Sequence, residues 1–152
     1  RQPDLFGGPI FPDYADPKPA WFPESLEVRK KAQVSGFYPN LTLSGGNLGV
    51  RKDVLARLGG FNPDYGMRGN KVGMLEERLL MEAYRRDTPA QAHKVYYDLD
   101  CYILHHTPKS RMRLKFQLKR IYIGNYQYVL YCLSQGVRSP RILYRLLLKR
   151  FW

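Results

Sequence analysis

The chain has 152 residues, enough for one domain with a core of its own, and its 44% hydrophobic and 14% aromatic content argues for a packed globular protein over a disordered segment. Its 25 Lys and Arg against 13 Asp and Glu leave a net charge of +12, and residues 101–152 hold eleven Lys or Arg with no Asp or Glu. No stretch reaches the roughly 20 apolar residues of a spanning helix, no secretory signal pattern is present, and Cys101 and Cys132 are too few for a disulfide framework, so a reducing, cytoplasmic setting is expected.

The chain starts on Arg1 and enters an apolar run within a few residues, which reads as a piece cut from a longer protein. Residues 5–11 carry Gly7, Gly8 and Pro9 inside that run, the pattern of a short strand that something approaches closely. Four prolines between 12 and 23, with Trp21 and Phe22, predict an irregular loop. Residues 24–33 predict a short helix closed by Ser35 and Gly36. Residues 41–50 predict a strand of small residues, among them Ser44, Gly45, Gly46 and Asn47, and small residues in a strand leave room for a ligand against the backbone. Residues 51–58 predict an amphipathic helix, stopped by Gly59 and Gly60 in left-handed conformation with Phe61 packing back. Asn62, Pro63 and Asp64 then mark a turn.

Residues 66–75, rich in glycine, predict a mobile loop that gives way near Glu76 to a helix with Leu75, Leu79 and Ala83 on one stripe. Glu76 and Glu77 sit at the junction. A carboxylate there is kept ionised by the positive end of the helix dipole, which suits a general base beneath a closing loop. Acidic residues are also enriched in first helical turns for stability alone, so position by itself does not decide their role. Pro89 ends this helix. The alternation of Val95, Tyr97, Leu99, Cys101 and Ile103 predicts one strand over 94–104. Residues 110–135 predict a helix with Leu114, Leu118, Ile121 and Tyr128 or Val129 on one stripe, stopped by Gly136. A last basic amphipathic helix is predicted from Pro140 to the end.

Taken in order, five groups of residues carry a resemblance. They are Gly7, Gly8, Pro9 and Ile10 with Pro19 and Trp21; Gly46 and Asn47 with Arg51; Gly59, Gly60 and Phe61; Glu76 and Glu77 with Leu80; and His105 with Arg111 and Gly124. Together they resemble the second half of family 2 glycosyltransferases, enzymes of the GT-A fold. The resemblance implies an α/β fold, a partial GT-A architecture with a mixed sheet, flanking helices and carboxy-terminal helices. It also implies an inverting transfer of a sugar from a nucleotide-diphospho-sugar to an acceptor hydroxyl, on a glycan or lipid-linked acceptor, in polysaccharide biosynthesis. Glu77 matches the base of that pattern, where the family more often has aspartate, and Glu76 would orient the loop or the acceptor. Gly46, Asn47, Trp21 and Arg111 match acceptor- or substrate-binding positions. His105, with His106 as its neighbour alternative, matches a histidine that helps hold a divalent metal (Mn2+ or Mg2+) on the diphosphate. The Asp-x-Asp motif that holds most of that metal belongs to an amino-terminal half, and nothing before Gly7 supplies it.

The expected organisation is therefore an acceptor-side half over 1–108, followed by basic amphipathic helices over 109–152 that reach an anionic membrane surface, peripheral on its inner face. Loss of the partner strands is expected to expose Leu41 to Leu43 and Val95 to Ile103 and to make the fragment a homo-oligomer. Two other readings compete. One is a nucleic-acid-binding module that uses the basic, tyrosine-rich tail, and the other a non-catalytic scaffold on a membrane surface.

Overall fold

The computed structural model describes residues 2–69 and 73–139; the helix predicted from Pro140 onward lies outside the described residues. The chain is a mixed α/β protein with two small sheets and a long helix late in the sequence. It divides into two compact units. The first takes Arg1–Pro63 and Glu76–Met112, and the second takes Asp64–Leu75 together with Arg113–Trp152 in its described part.

In the first unit, β1 (Leu5–Gly7) pairs parallel with β5 (Val95–Tyr97) and antiparallel with β4 (Leu48–Val50), while β3 (Gly36–Phe37) closes the far side of β5. A second sheet is the parallel pair β2 (Ile10–Tyr14) and β6 (Ile103–Thr107). The two parallel pairs are one ribbon broken at the same level on both chains. Gly7 pairs with Tyr97 before the break and Ile10 with Ile103 after it, so one side crosses in two residues where the other takes five. Asp98 folds those extra residues into a turn, its Oδ1 accepting from Asp100 N at 3.1 Å and from Ser35 Oγ at 3.2 Å. This splits the strand predicted over 94–104 into β5 and β6, although the alternation of more and less buried side chains runs on past the break, from Leu99 to Thr107. On the other side Gly8 runs so close to the carbonyls of Asp98 and Cys101 that no side chain fits.

Two further expectations change through tertiary pairing. The helix predicted over 24–33 shrinks to a 3-10 turn at Glu24–Leu26. Beyond it the free edge of β2 captures the backbone, with Arg29 N donating to Ile10 O at 2.9 Å and Lys31 N to Tyr97 Oη at 3.0 Å. The strand predicted over 41–50 keeps only β4. Before it, Gly45–Asn47 coil into a 3-10 turn, and the carbonyls of Asn40 and Leu41 accept from Arg85 Nη2 at 3.2 and 2.9 Å.

The core lies between the four-stranded sheet and two helices, α1 (Lys52–Arg57) and α2 (Glu76–Asp87). Leu5 of β1, Val95 and Tyr97 of β5, Val54 of α1, Met81 and Tyr84 of α2, and Leu43 are all buried there. Each such side chain contributes about 1.5–3 kcal/mol by leaving water. The expected exposure of Leu43 and Val95 is thereby corrected, because α2 covers the sheet face that a missing strand was thought to leave open. A polar anchor crosses this core. Tyr84 Oη donates to Asp4 Oδ2 at 2.8 Å and accepts from Lys94 N at 2.9 Å. Arg51 Nη1 stands 2.8 Å from Asp4 Oδ1 as an ion pair. The α1 stop is as expected, with Gly59 and Gly60 at φ 78° and 80°, although Phe61 stays 45% exposed instead of packing back.

In the second unit, α3 (Leu114–Ser134) ends where predicted: Gly136 takes φ 81° and its N donates to Leu133 O, while Val137 N donates to Cys132 O, both at 3.0 Å. The segment before α2 is held to this helix. Met74 N donates to Gln127 Oε1 at 2.9 Å, and the Tyr65 and Tyr131 rings meet edge to face at 6.5 Å. Gly66 and Gly73 pass so closely that a side chain on Gly73 would overlap the Gly66 carbonyl, which pinches the predicted loop into a neck. None of the helices among the described residues is long and apolar enough to cross a membrane.

Candidate functional site

The Gly45–Asn47 turn and the first turn of α2 meet in the first unit. A methyl group on Gly45 would stand 3.3 Å from both Cβ and Cδ of Glu77 and 3.4 Å from its Oε2. Glu77 therefore lies along the turn, and any side chain at position 45 would press on it. Among the described residues, no hydrogen bond or ion pair to its carboxylate is present. The next residue, Gly46, rests on the β2–β6 pair, where a methyl would reach Ile10 Cδ1 at 3.3 Å and Ile103 Cδ1 at 4.0 Å.

Asn47 closes the turn from the other side. Its Nδ2 donates to Pro9 O at 3.2 Å and to Cys101 O at 2.7 Å, one carbonyl from each side of the broken ribbon. Both amide protons are thus committed to holding the break together, and a role toward an acceptor rests on the resemblance alone.

His105 lies two residues beyond Ile103 on β6, so it shares that strand face and sits about 7 Å farther along it. Arg111 Nη1 is 3.2 Å from His105 Nε2. A guanidinium only donates, so Nε2 accepts and the ring proton stays on Nδ1. A metal on Nε2 and Arg111 exclude one another. Among the described residues no three His, Cys, Asp or Glu side chains come together as a ligand set, so these residues do not form a metal site by themselves. Trp21 is 47% exposed and packs edge to face on buried Phe22 at 5.5 Å.

Charge around Glu77 is arranged unevenly. Burial and the charge of Arg29 push the Lys31 ammonium below its ordinary value, while Glu77 pulls it back up, which places a cation in the field of the carboxylate. Glu76 is the reverse case. Its carboxyl is pushed up by burial, with Glu77 adding to the rise against the lowering effect of its own backbone N–H. Its Oε2 is a buried atom with no hydrogen-bond partner among the described residues. The two acids therefore have different characters, one desolvated and the other facing the turn and a lysine.

No protein-family model, no curated protein and no solved structure matches the chain. The arrangement itself brings together Glu77, Gly45 and Gly46, with Lys31 near the carboxylate and the His105–Arg111 pair along the adjoining ribbon. Lys31 was hidden in the sequence inside a predicted helix. Gly45 was visible as a small residue, although its neighbour across space was not.

Proposed function

We propose that this chain is the acceptor-side half of an inverting glycosyltransferase that uses a nucleotide-diphospho-sugar donor, with Glu77 as the general base. The observation that carries the reading is the seating of Glu77 against the Gly45–Asn47 turn, at the start of a 12-residue helix. Lys31 and the amino-terminal end of α2 bring positive charge toward the carboxylate, which would accept the proton of an acceptor hydroxyl held at about 2.6–3.2 Å. Glu77 takes that proton as the hydroxyl oxygen bonds to the anomeric carbon. The bond from that carbon to the nucleoside diphosphate breaks on the opposite face, so the configuration inverts. Arg111 and Lys31 are the cations of this face that can meet phosphate oxygens, Arg111 with two parallel donors. Glu76 acts as a desolvated support for the helix start. Of the metal implied by the resemblance, the described residues offer no more than His105, and the base step does not depend on it.

The reading expects the base-binding part of the donor site to come from sequence upstream. Calorimetric titration of the isolated chain with nucleotide-diphospho-sugars should show only weak binding or none, while the intact protein releases nucleoside diphosphate in the presence of an acceptor. Micromolar binding by the isolated chain would overturn the division of labour. Absence of diphosphate release by the intact protein across a panel of donors and acceptors would overturn the activity.

A further inference from the structure

The helix α3 is inside out. Its buried positions are Gln117, Gly124, Asn125 and Cys132, while Leu114, Leu118, Tyr122, Tyr126, Leu130 and Leu133 are exposed. Spaced by four, four, four, four and three, these six drift by about 40° at each four-residue step and wind over roughly half of the helix circumference. The exposure is large, at 56% for Leu118 and 68% for Tyr122, and the Tyr122 and Tyr126 rings stack at 6.1 Å. The sequence placed Leu114 and Leu118 on one stripe with Ile121, and of these Leu114 and Leu118 are exposed while Ile121 is half-buried.

We infer that this face of α3 docks on an anionic phospholipid bilayer, lying in the plane of its surface. Three features select that occupant. The apolar face calls for a partner that takes leucine and tyrosine side chains together, as the boundary between acyl chains and headgroups does. Lys115 and Lys119 are exposed in the first turns of the same helix, preceded by exposed Arg113; their stems can lie along apolar surface while the ammonium groups reach lipid phosphates. Residues 101–152 carry eleven cations and no acid, so a second copy of the chain would bring its own positive field against this one. A nucleic acid would answer the charge and leave the leucines wet. The interaction surface does not depend on the glycosyltransferase reading, and its failure would leave the role of Glu77 untouched.

Flotation of the full chain with vesicles of phosphatidylglycerol and phosphatidylcholine, compared with phosphatidylcholine alone, tests this. The chain should float with the anionic vesicles and be released by salt. The double substitution Leu118→Ser and Tyr122→Ser, at exposed positions that leave the core intact, should reduce partitioning by about tenfold or more with unchanged circular dichroism. Lys115→Gln with Lys119→Gln should weaken binding to anionic vesicles and flatten its salt dependence. Equal partitioning to neutral vesicles would overturn the inference, as would no loss in the serine variant. So would a concentration-dependent dimer that the serine substitutions dissolve while vesicles are ignored, or tighter binding to a single-stranded oligonucleotide that those substitutions leave unchanged.

Discussion

Gly45 and Glu77 are separated by 31 residues of sequence yet fit against each other so closely that a methyl on one would come within 3.3 Å of Cβ of the other. This makes the orientation of the carboxylate a property of the turn. Gly45→Val places a branched side chain where Glu77 lies and forces its rotamer to change, without a strained φ. If Glu77 is the base, turnover by the intact protein should fall by about 10²-fold, the cost of a base displaced by roughly 1 Å. Steady-state kinetics beside thermal melting checks this, and an unchanged turnover with altered stability would mean that the contact is only packing.

Asn47 predicts a different outcome. Its side chain bridges Pro9 O and Cys101 O across the ribbon break, so Asn47→Ala leaves two carbonyls without that donor and should cost about 1–3 kcal/mol of stability. Denaturant unfolding measures it. A variant of normal stability with a raised KM for the acceptor would instead show that Asn47 contacts the acceptor, as the sequence resemblance implies.

Glu76 predicts a pH dependence. Its carboxyl is pushed up in the folded chain, chiefly by burial, so the folded state binds the proton more tightly than the unfolded state does. Stability from this group is complete below the ordinary glutamate value near 4.3 and is lost as pH rises through the raised folded value. Glu76→Gln should therefore raise the melting temperature at neutral pH, and the difference should shrink toward zero in acid. Melting curves across the acid-to-neutral range decide it; a difference that grows toward acid has the wrong sign.

How much of this was legible in the sequence follows from the range of the interactions. Local signals worked: Gly59 and Gly60 stop α1, Gly136 stops α3, and Glu76 opens α2, because caps and first turns are decided within a few residues. Signals that depend on distant partners did not. The helical pattern over 24–33 lost to the edge of β2, and the strand predicted over 94–104 was broken by an Asp98 turn matched to Gly8 on the neighbouring strand. The candidate acids were visible from their place before an apolar stripe. Their partners were not, since Lys31 reaches the field of Glu77 only through the pairing of 29–31 with β2 and β5. On α3 the stripe read from Leu114, Leu118, Ile121 and Tyr128 or Val129 joins exposed and half-buried side chains, because periodicity marks a stripe without saying whether protein or another surface covers it.

Turnover by the intact protein carrying Glu77→Gln tests the proposed removal of the acceptor proton by Glu77. Glutamine keeps the size and the contact with Gly45 but cannot take a proton. Turnover should fall by about 10²- to 10⁴-fold, with substrate affinity and melting temperature nearly unchanged and a smaller loss for Glu76→Gln. A Glu77→Gln enzyme with near-normal turnover would contradict it.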